Sequence, residues 1–255
     1  MASGGHPDWL RPDWDAPGVG GLMTTRAGGV STGPFESMNV RGGLGDDPVA
    51  VLQNQAIFAA AIGARPVWLN QVHGATVVRL TSDALGTVPT ADASVCAEPG
   101  IACTVQVADC LPVLFAAPRA RAVGGAHAGW RGLAGGVLEA TLAELCAVAG
   151  CEPAEVQAWL GPCIGPRQFE VGADVLRAFG VDPQQGDQPF FAAHTAGKWM
   201  ADLAGLARER LRRAGVSRLS GGTWCTVEEA SRFFSFRRDR STGRMVAAIW
   251  LDRRG

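Results

Sequence analysis

The chain has 255 residues, an apolar fraction of 47% and a charged fraction of 18%. That composition belongs to a packed globule and excludes a disordered or low-complexity chain, and the length fits one large domain over residues 1–255 or two intimately packed halves. A formal net charge of −1 and a pI near 6.4 leave no basic excess for nucleic acid and no acidic tail.

Seven cysteines, at 96, 103, 110, 146, 151, 163 and 225, are an odd number, and several sit inside apolar runs. That pattern reads as reduced thiols rather than a disulfide framework. The N-terminal MASGGHPDWLRPDWD lacks a basic stretch followed by an apolar one, so it does not read as a signal peptide. No apolar run reaches the length needed to cross a bilayer. The expected location is the cytoplasm, and the first dozen residues are expected to be poorly ordered.

In chain order, Gly18–Thr25 predicts a strand that runs into the loop TTRAGGVSTGPF. Asp46 or Asp47 before Pro48 marks a helix start, with the helix over Val49–Ile62. Pro66–Leu69 and Ala75–Leu80 read as strands joined by NQVHG, and Ala91–Cys96 as another. Ile101–Val107 and Pro112–Ala117 are strands flanking Ala108-Asp109-Cys110, and Ala122–Ala126 is a strand that ends at His127. Leu133–Val148 has apolar residues at helical spacing. Val156–Leu160 is a strand leading into GPCIGP. Helices are predicted near Gly172–Phe179 and Trp199–Ala214, with a surface loop at 181–188 between them. The chain ends in β structure at Gly222–Thr226, Phe233–Phe236 and Met245–Leu251, the last two as a hairpin turning at Ser241-Thr242-Gly243. Strands outnumber helices without strict alternation, which predicts an α+β fold with mixed sheets.

Three residues stand apart by position. His73 lies in a loop between two strands, Cys110 in another, and His127 closes a strand. Strand ends and tight connections are where side chains converge on a cleft. Two imidazoles and one thiolate form a donor set that zinc accepts, with a fourth position open to water or substrate. Spacing alone does not separate this from a buried thiol and two ordinary histidines. Asp109 beside Cys110, and the polar groups of GWRG after His127, weigh for a site, because burying them without partners is costly. Arg131 precedes the helix predicted at 133–148, where free N–H groups and the helix dipole favour an anion; the alternative is a surface ion pair. Arg26 and Asn39 lie in glycine-rich loops and either bind an anion or a sugar hydroxyl, or stabilise those loops. Cys163 in GPCIGP reads as part of a structural turn rather than a nucleophile. Phe233, Phe234, Phe236 and Trp250 read as core rather than as a base-stacking platform.

The motifs NQVHG (70–74), ADCLPVLF (108–115), HAGWRG (127–132), LGPCIGP (160–166), FEVG (169–172) and FFSFRRD (233–239) resemble, in this order, the laccase-domain family. That family is also called the multicopper polyphenol oxidase-like, peptidoglycan editing factor or purine nucleoside phosphorylase family. TTRAGGVS (24–31) and TGRMVAAIWL (242–251) extend the resemblance over nearly the whole chain. The resemblance implies a four-layer α/β/β/α sandwich with mixed β-sheets and one zinc per chain held by His73, Cys110 and His127. It implies phosphorolysis of adenosine, inosine and S-methyl-5′-thioadenosine, with adenosine deamination as a second reaction. The implied partners are a purine nucleoside and phosphate, on a monomer or weak homo-oligomer, with no nucleic acid or membrane. On this reading Arg131 and the metal hold phosphate, Arg26, Asn39 and Gln71 are further binding candidates, and Asp109 is the proton shuttle, with Asp92 behind it. Phe236 and Trp199 stand where tyrosine is common in the family, a departure expected to alter the polarity of the pocket.

Other readings use the same residues. His₂Cys can form a blue-copper centre, so copper is the lesser alternative to zinc. A laccase needs more imidazole ligands than four histidines supply. A cysteine hydrolase acting on peptidoglycan precursors would take Cys110 as nucleophile and His127 or His73 as base. A zinc-stabilised interaction module is the non-enzymatic reading, and a ligand set lacking its fourth protein donor argues against it.

Overall fold

Strands with a two-residue repeat sort this chain's apolar side chains onto the faces of two stacked sheets. The coordinates are a computed structural model and describe residues 5–184 and 188–252. The elements begin with β1 (Val19–Met23), α1 (Pro48–Ile62), β2 (Arg65–Val67), β3 (Val77–Leu80) and β4 (Ala93–Cys96). Then come β5 (Ile101–Val107), β6 (Leu111–Ala116), β7 (Val123–Ala128), α2 (Trp130–Ala134), α3 (Val137–Ala149) and β8 (Gln157–Leu160). The chain continues through β9 (Glu170–Gly172), α4 (Ala173–Ala178), β10 (Phe191–Ala193), β11 (Lys198–Ala201) and α5 (Leu203–Arg213). It finishes with β12 (Arg218–Gly221), α6 (Phe236–Asp239) and β13 (Met245–Leu251).

The first sheet has the order β1-β13-β5-β2 and the second the order β12-β8-β6-β7-β4-β3; β9, β10 and β11 form a small third sheet. Both large sheets are mixed: β2 runs parallel to β5, and β3 parallel to β4, among antiparallel neighbours. The core follows from the alternation. On β13, Met245, Ala247, Ile249 and Leu251 face the space between the sheets, while Val246, Ala248 and Trp250 face α1. On β6, Leu114 and Ala116 point to that same space, and Val113 and Phe115 to the other face, against Leu138 and Leu145 of α3 and Leu211 of α5. The result is the expected four layers: α1, first sheet, second sheet, then α3 with α5. Truncating the fully buried Phe115 to alanine would cost about 3–5 kcal/mol.

Local signals hold the outer layer. Asp47 accepts a hydrogen bond from the Val49 N–H at 2.9 Å, Pro48 opens α1, and Gly63 at φ 65° closes it. The helix predicted at 133–148 is broken into α2 and α3, because Gly136 takes φ 91°, which a continuing α-helix does not admit. Trp199–Ala201 belongs to β11 rather than to a helix: Trp199 pairs with Val171, and the Asp202 carboxylate caps α5 only from Gly205 N at 2.8 Å. Phe233–Phe236 is not a strand. Phe233 and Phe234 are fully buried without strand partners, Ser235 caps the short α6, and β13 pairs with β1 and β5 instead of closing a hairpin. The strand expected at Gly222–Thr226 lies earlier, at β12; only Cys225 retains an isolated bridge, to Cys163.

The N-terminal segment is tied down from its first described residues, against expectation. Trp9 donates its indole N–H to Ala27 O at 2.8 Å, and Leu10 bridges to Met23. Residues 1–4, and 185–187 of the loop expected at 181–188, lie outside the described residues. No described helix is long and apolar enough to cross a membrane.

Candidate metal centre and cleft

Two connections carry the chain from the first sheet to the second, and each carries a donor. His73 lies in the connection from β2 to β3, Cys110 in the one from β5 to β6, and His127 projects from β7. Their donor atoms lie within 4.8 Å of one another, with Cys110 Sγ 3.8 Å from His73 Nε2. The two imidazole rings meet edge to face at 4.8 Å. Both connections turn through left-handed backbone, at φ 61° for His73 and φ 84° for Asp109. Such a conformation costs about 1–2 kcal/mol for a residue with a Cβ, so it must be held by its surroundings.

Asp92 holds the first of these turns. Its fully buried carboxylate accepts the backbone N–H groups of Val72, His73 and Gly74 at 3.2, 2.9 and 2.7 Å, and pairs with His127 Nδ1 at 2.8 Å. One carboxylate thereby sets the His73 turn and leaves His127 Nε2 for a ligand role, the usual arrangement behind a metal-bound histidine. Those four bonds place Asp92 where it fixes the His73 turn and the His127 ring. The glycines of HAGWRG serve the same cradle. A Cβ at Gly129 would stand 2.9 Å from His73 Cδ2 and 3.0 Å from Cys110 Sγ; one at Gly132 would stand 2.7 Å from Gly74 O.

The electrostatics follow from this packing. Burial pushes the Cys110 thiol up, but His127 and His73 beside it more than offset that and bring it down to about 6. Burial lowers His127, but Cys110 and Asp92 carry it up to about 9. Burial raises Asp92, and His127 with the backbone N–H groups pulls it below its ordinary value. A thiolate is thus stabilised among imidazoles, which is the chemistry of a metal ligand set. Around a tetrahedral zinc, Zn–N of about 2.0–2.1 Å and Zn–S of about 2.3 Å place donors about 3.3–3.6 Å apart. Cys110 Sγ and His73 Nε2, at 3.8 Å, and the three donors together, within 4.8 Å, stand slightly wider than that spacing. The residues could hold one metal ion through three protein donors.

The three donors line a cleft of about 540 Å³, within the range of small-molecule sites. One wall is apolar and belongs to the core between the second sheet and its helices: Trp130, Ile164, Phe169 and Leu203. The other carries Gln71, Gln106, Arg41 and Arg244. Asp109 also lines the cleft; its oxygens accept from Thr226 Oγ1 at 2.6 Å and Arg237 N at 2.7 Å.

The remaining expected residues divide. Arg131 reaches the cleft, but it lies inside the five-residue α2 rather than ahead of a long helix, and its guanidinium stacks on Trp130 at 4.3 Å. Gln71 is in the wall with its amide engaged by the backbone of Gln106 at 2.8 and 2.9 Å. Arg26 does not line the cleft; it bonds Glu36 O and Ala230 O and lies over Phe234, so it clamps loops. Asn39 is fully buried, with both ends of its amide engaged, and does not line the cleft either. Phe236 lines it; Trp199 is buried elsewhere.

Residues 21–252 match the family described as multi-copper polyphenol oxidoreductase laccase. The chain belongs to that family. It is similar to a purine nucleoside phosphorylase of Pseudomonas aeruginosa, at 47% identity over 244 residues that cover 95% of this chain and 98% of the relative. It is also similar to the purine nucleoside phosphorylase YfiH of Escherichia coli, at 45% identity, covering 94% and 97%. Among solved structures, a Neisseria meningitidis protein shares the fold with a TM-score of 0.89 and 47% identity, over 96% of this chain and all of that one. YlmD from Geobacillus stearothermophilus matches with a TM-score of 0.88 and 34% identity, over 96% of each chain.

In this member of the laccase family the multicopper description meets few histidines. His6 lies beside Asp8 and His194 beside Glu170, so neither joins the cluster. Among the described residues His73, Cys110 and His127 are the one group placed to hold a metal. Sequence reasoning passed over Arg41, Gln106, Arg237 and Arg244, all of which line the cleft. They come from four separate segments, and no local spacing links them.

Proposed function

We propose that this laccase-family chain is a zinc-dependent purine nucleoside phosphorylase, acting on adenosine, inosine and S-methyl-5′-thioadenosine, with adenosine deamination as a second activity. The observation that carries the reading is the cleft itself. It sets a His-Cys-His donor group beside an apolar wall and four arginines: Arg41, Arg131, Arg237 and Arg244. Among the described residues no carboxylate lies within 4.0 Å of those guanidinium nitrogens. A phosphate and a purine would match those two walls, and the names of the relatives at 47% and 45% identity agree with that match.

In phosphorolysis a phosphate oxygen bonds to C1′ as the C1′–purine nitrogen bond breaks, giving the free base and ribose 1-phosphate. The apolar wall would stack and desolvate the base, and guanidinium groups would hold the phosphate charge. Asp109 is fixed by Thr226 and Arg237 N, and each of its oxygens keeps a lone pair for a proton. It would hold the proton exchanged with the departing purine. In deamination water adds at C6 and ammonia leaves; Asp109 would take the proton of the water and return it to the leaving nitrogen. His73, Cys110 and His127 would hold the zinc, which would supply Lewis acidity at the site.

A second reading has one observation in its favour. The Cys110 thiol, brought down to about 6 beside His127, also has the form of an activated nucleophile for a hydrolase. Incubating the purified protein with inosine and phosphate separates the two. Phosphate-dependent formation of hypoxanthine and ribose 1-phosphate, abolished by a chelator and restored by zinc, supports the phosphorylase. Activity that survives chelation and is lost on alkylation of Cys110 supports the hydrolase.

A further inference from the structure

Two of the four cleft arginines are tied to each other through one buried amide. Asn39 Oδ1 accepts the backbone N–H of Arg41 at 3.1 Å and that of Arg244 at 2.9 Å. Asn39 Nδ2 donates to Arg41 O at 3.1 Å and to Asp46 Oδ2 at 2.8 Å. A fully buried side chain therefore fixes the loop after Val40 against the residue that enters β13. The wall behind them is equally built. Gln71 and the Gln106 backbone exchange two hydrogen bonds, and Gln106 Oε1 lies 3.4 Å from Arg41 Nη1.

The guanidinium groups themselves are left with donors to spare. Arg244 Nη1 is engaged by Thr242 O and Gly243 O at 3.1 and 3.0 Å, and its carbon lies 5.8 Å from the Phe236 ring centre. Among the described residues no acceptor meets Nε or Nη2 of either arginine. Burial, and then the neighbouring Arg41, push Arg244 below its ordinary value. Two cations held side by side in a half-buried cleft repel unless an anion lies between them. The other two arginines are committed differently. Arg237 Nη1 donates to Gln168 O and Glu170 O, and exposed Arg131 stacks on Trp130.

We propose that Arg41 and Arg244 form an oxyanion subsite for a tetrahedral phosphate, held in register by Asn39 as a positioning residue. The use of that phosphate as the attacking group rests on the phosphorylase reading above; the subsite rests on the geometry. The two spare edges match the planar donor fork that guanidinium offers to phosphate oxygens. Asn39 thus affects substrate through the two arginines rather than by touching it.

The test uses the zinc-loaded full chain. Inorganic phosphate binding is measured by calorimetry at fixed ionic strength, and inosine phosphorolysis is followed with phosphate and inosine varied separately. Arg41→Gln and Arg244→Gln should each weaken phosphate binding and raise the phosphate KM by about tenfold or more, with the inosine KM and the zinc content unchanged. Arg244→Lys should recover part of the loss, because charge is kept and the fork is not. Asn39→Ser should raise the phosphate KM while leaving the inosine KM alone, a split that a merely structural lesion would not give. Arg213→Gln, an exposed charge-matched control on α5, should change neither constant.

Folded Arg41→Gln and Arg244→Gln proteins that bind phosphate like the parent would overturn the subsite. So would a rise of both KM values together in those variants and in Arg244→Lys. A parent protein that binds phosphate through these arginines yet never cleaves inosine would uphold the subsite and sink the phosphorylase reading.

Discussion

Replacing Gly129 by alanine should weaken metal binding without unfolding the protein. Gly129 has φ −65° and ψ 158°, a conformation open to any residue, so the added methyl meets no backbone strain. Loss of glycine freedom in the unfolded chain even favours alanine, by about 0.4–1 kcal/mol. The obstacle is the ligand set. The new Cβ would lie 2.9 Å from His73 Cδ2 and 3.0 Å from Cys110 Sγ, where relaxed contacts fall near 3.5–4.0 Å. Relief requires His73 and Cys110 each to move by about 0.5–1 Å, several times the roughly 0.2 Å tolerance of a metal–ligand distance. Zinc affinity should fall by about 10–100-fold, the scale seen when the support of a ligand is disturbed. The assay is competition with a chromophoric chelator, paired with thermal melting of the metal-free protein. A Gly129→Ala protein that holds zinc within twofold of the parent would refute the reasoning. Gly132→Ala is the contrast: its Cβ would press on Gly74 O, a backbone atom, and should destabilise the metal-free fold itself by about 1–3 kcal/mol.

Asp92→Asn should weaken both fold and metal site. The amide nitrogen would face N–H donors that now meet a carboxylate oxygen, at a cost of about 1–3 kcal/mol in urea melts and about 10–100-fold in zinc affinity. A neutral substitution by both measures would contradict the orienting role given to Asp92. In metal-free protein, alkylation of Cys110 should rise from low rates below pH 6 to a plateau above it, because the lowered thiol is ionised from about pH 6 upward; zinc should protect it. A midpoint near pH 9 would mean that His127 and His73 do not stabilise the thiolate. Chelation of zinc should abolish activity while the melting transition remains cooperative, since the core between the sheets is built from apolar side chains such as Met23, Val105, Leu114 and Ile249 rather than from the metal ligands. Loss of the transition on chelation would favour a structural metal.

The fold was legible wherever an apolar run could only be one thing. IACTVQV and MVAAIWL are apolar runs too short for helices, and lie at the centre of the first sheet. FFSF has the same character and misleads, because Phe233 and Phe234 fill core space from an irregular segment that no strand flanks. Composition reports burial there, not pairing. The break between α2 and α3 turns on one glycine at φ 91°, and glycine in a sequence permits such a bend without demanding it. KWMA became a strand through its partner at Val171, a long-range choice that local propensity does not carry.

The site divides in the same way. His73, Cys110 and His127 were readable because rare residue types stood at chain reversals in motifs of recognisable order. Asp92 was visible only as a carboxylate nearby; its four hydrogen bonds appear once β4 is laid beside the His73 turn. Arg41 and Arg244 were hidden, since arginine is common and the amide that joins them lies in neither segment's pattern. Asn39 was noticed for its glycine-rich loop, where a contact with ligand and a contact with backbone look identical in sequence.

The most direct measurement is the X-ray absorption spectrum of the purified, zinc-loaded protein. One sulfur at about 2.3 Å and two imidazole nitrogens at about 2.0–2.1 Å, with one further light atom, is the expected shell. A shell without sulfur, or one unchanged in Cys110→Ser, would contradict a metal held by His73, Cys110 and His127.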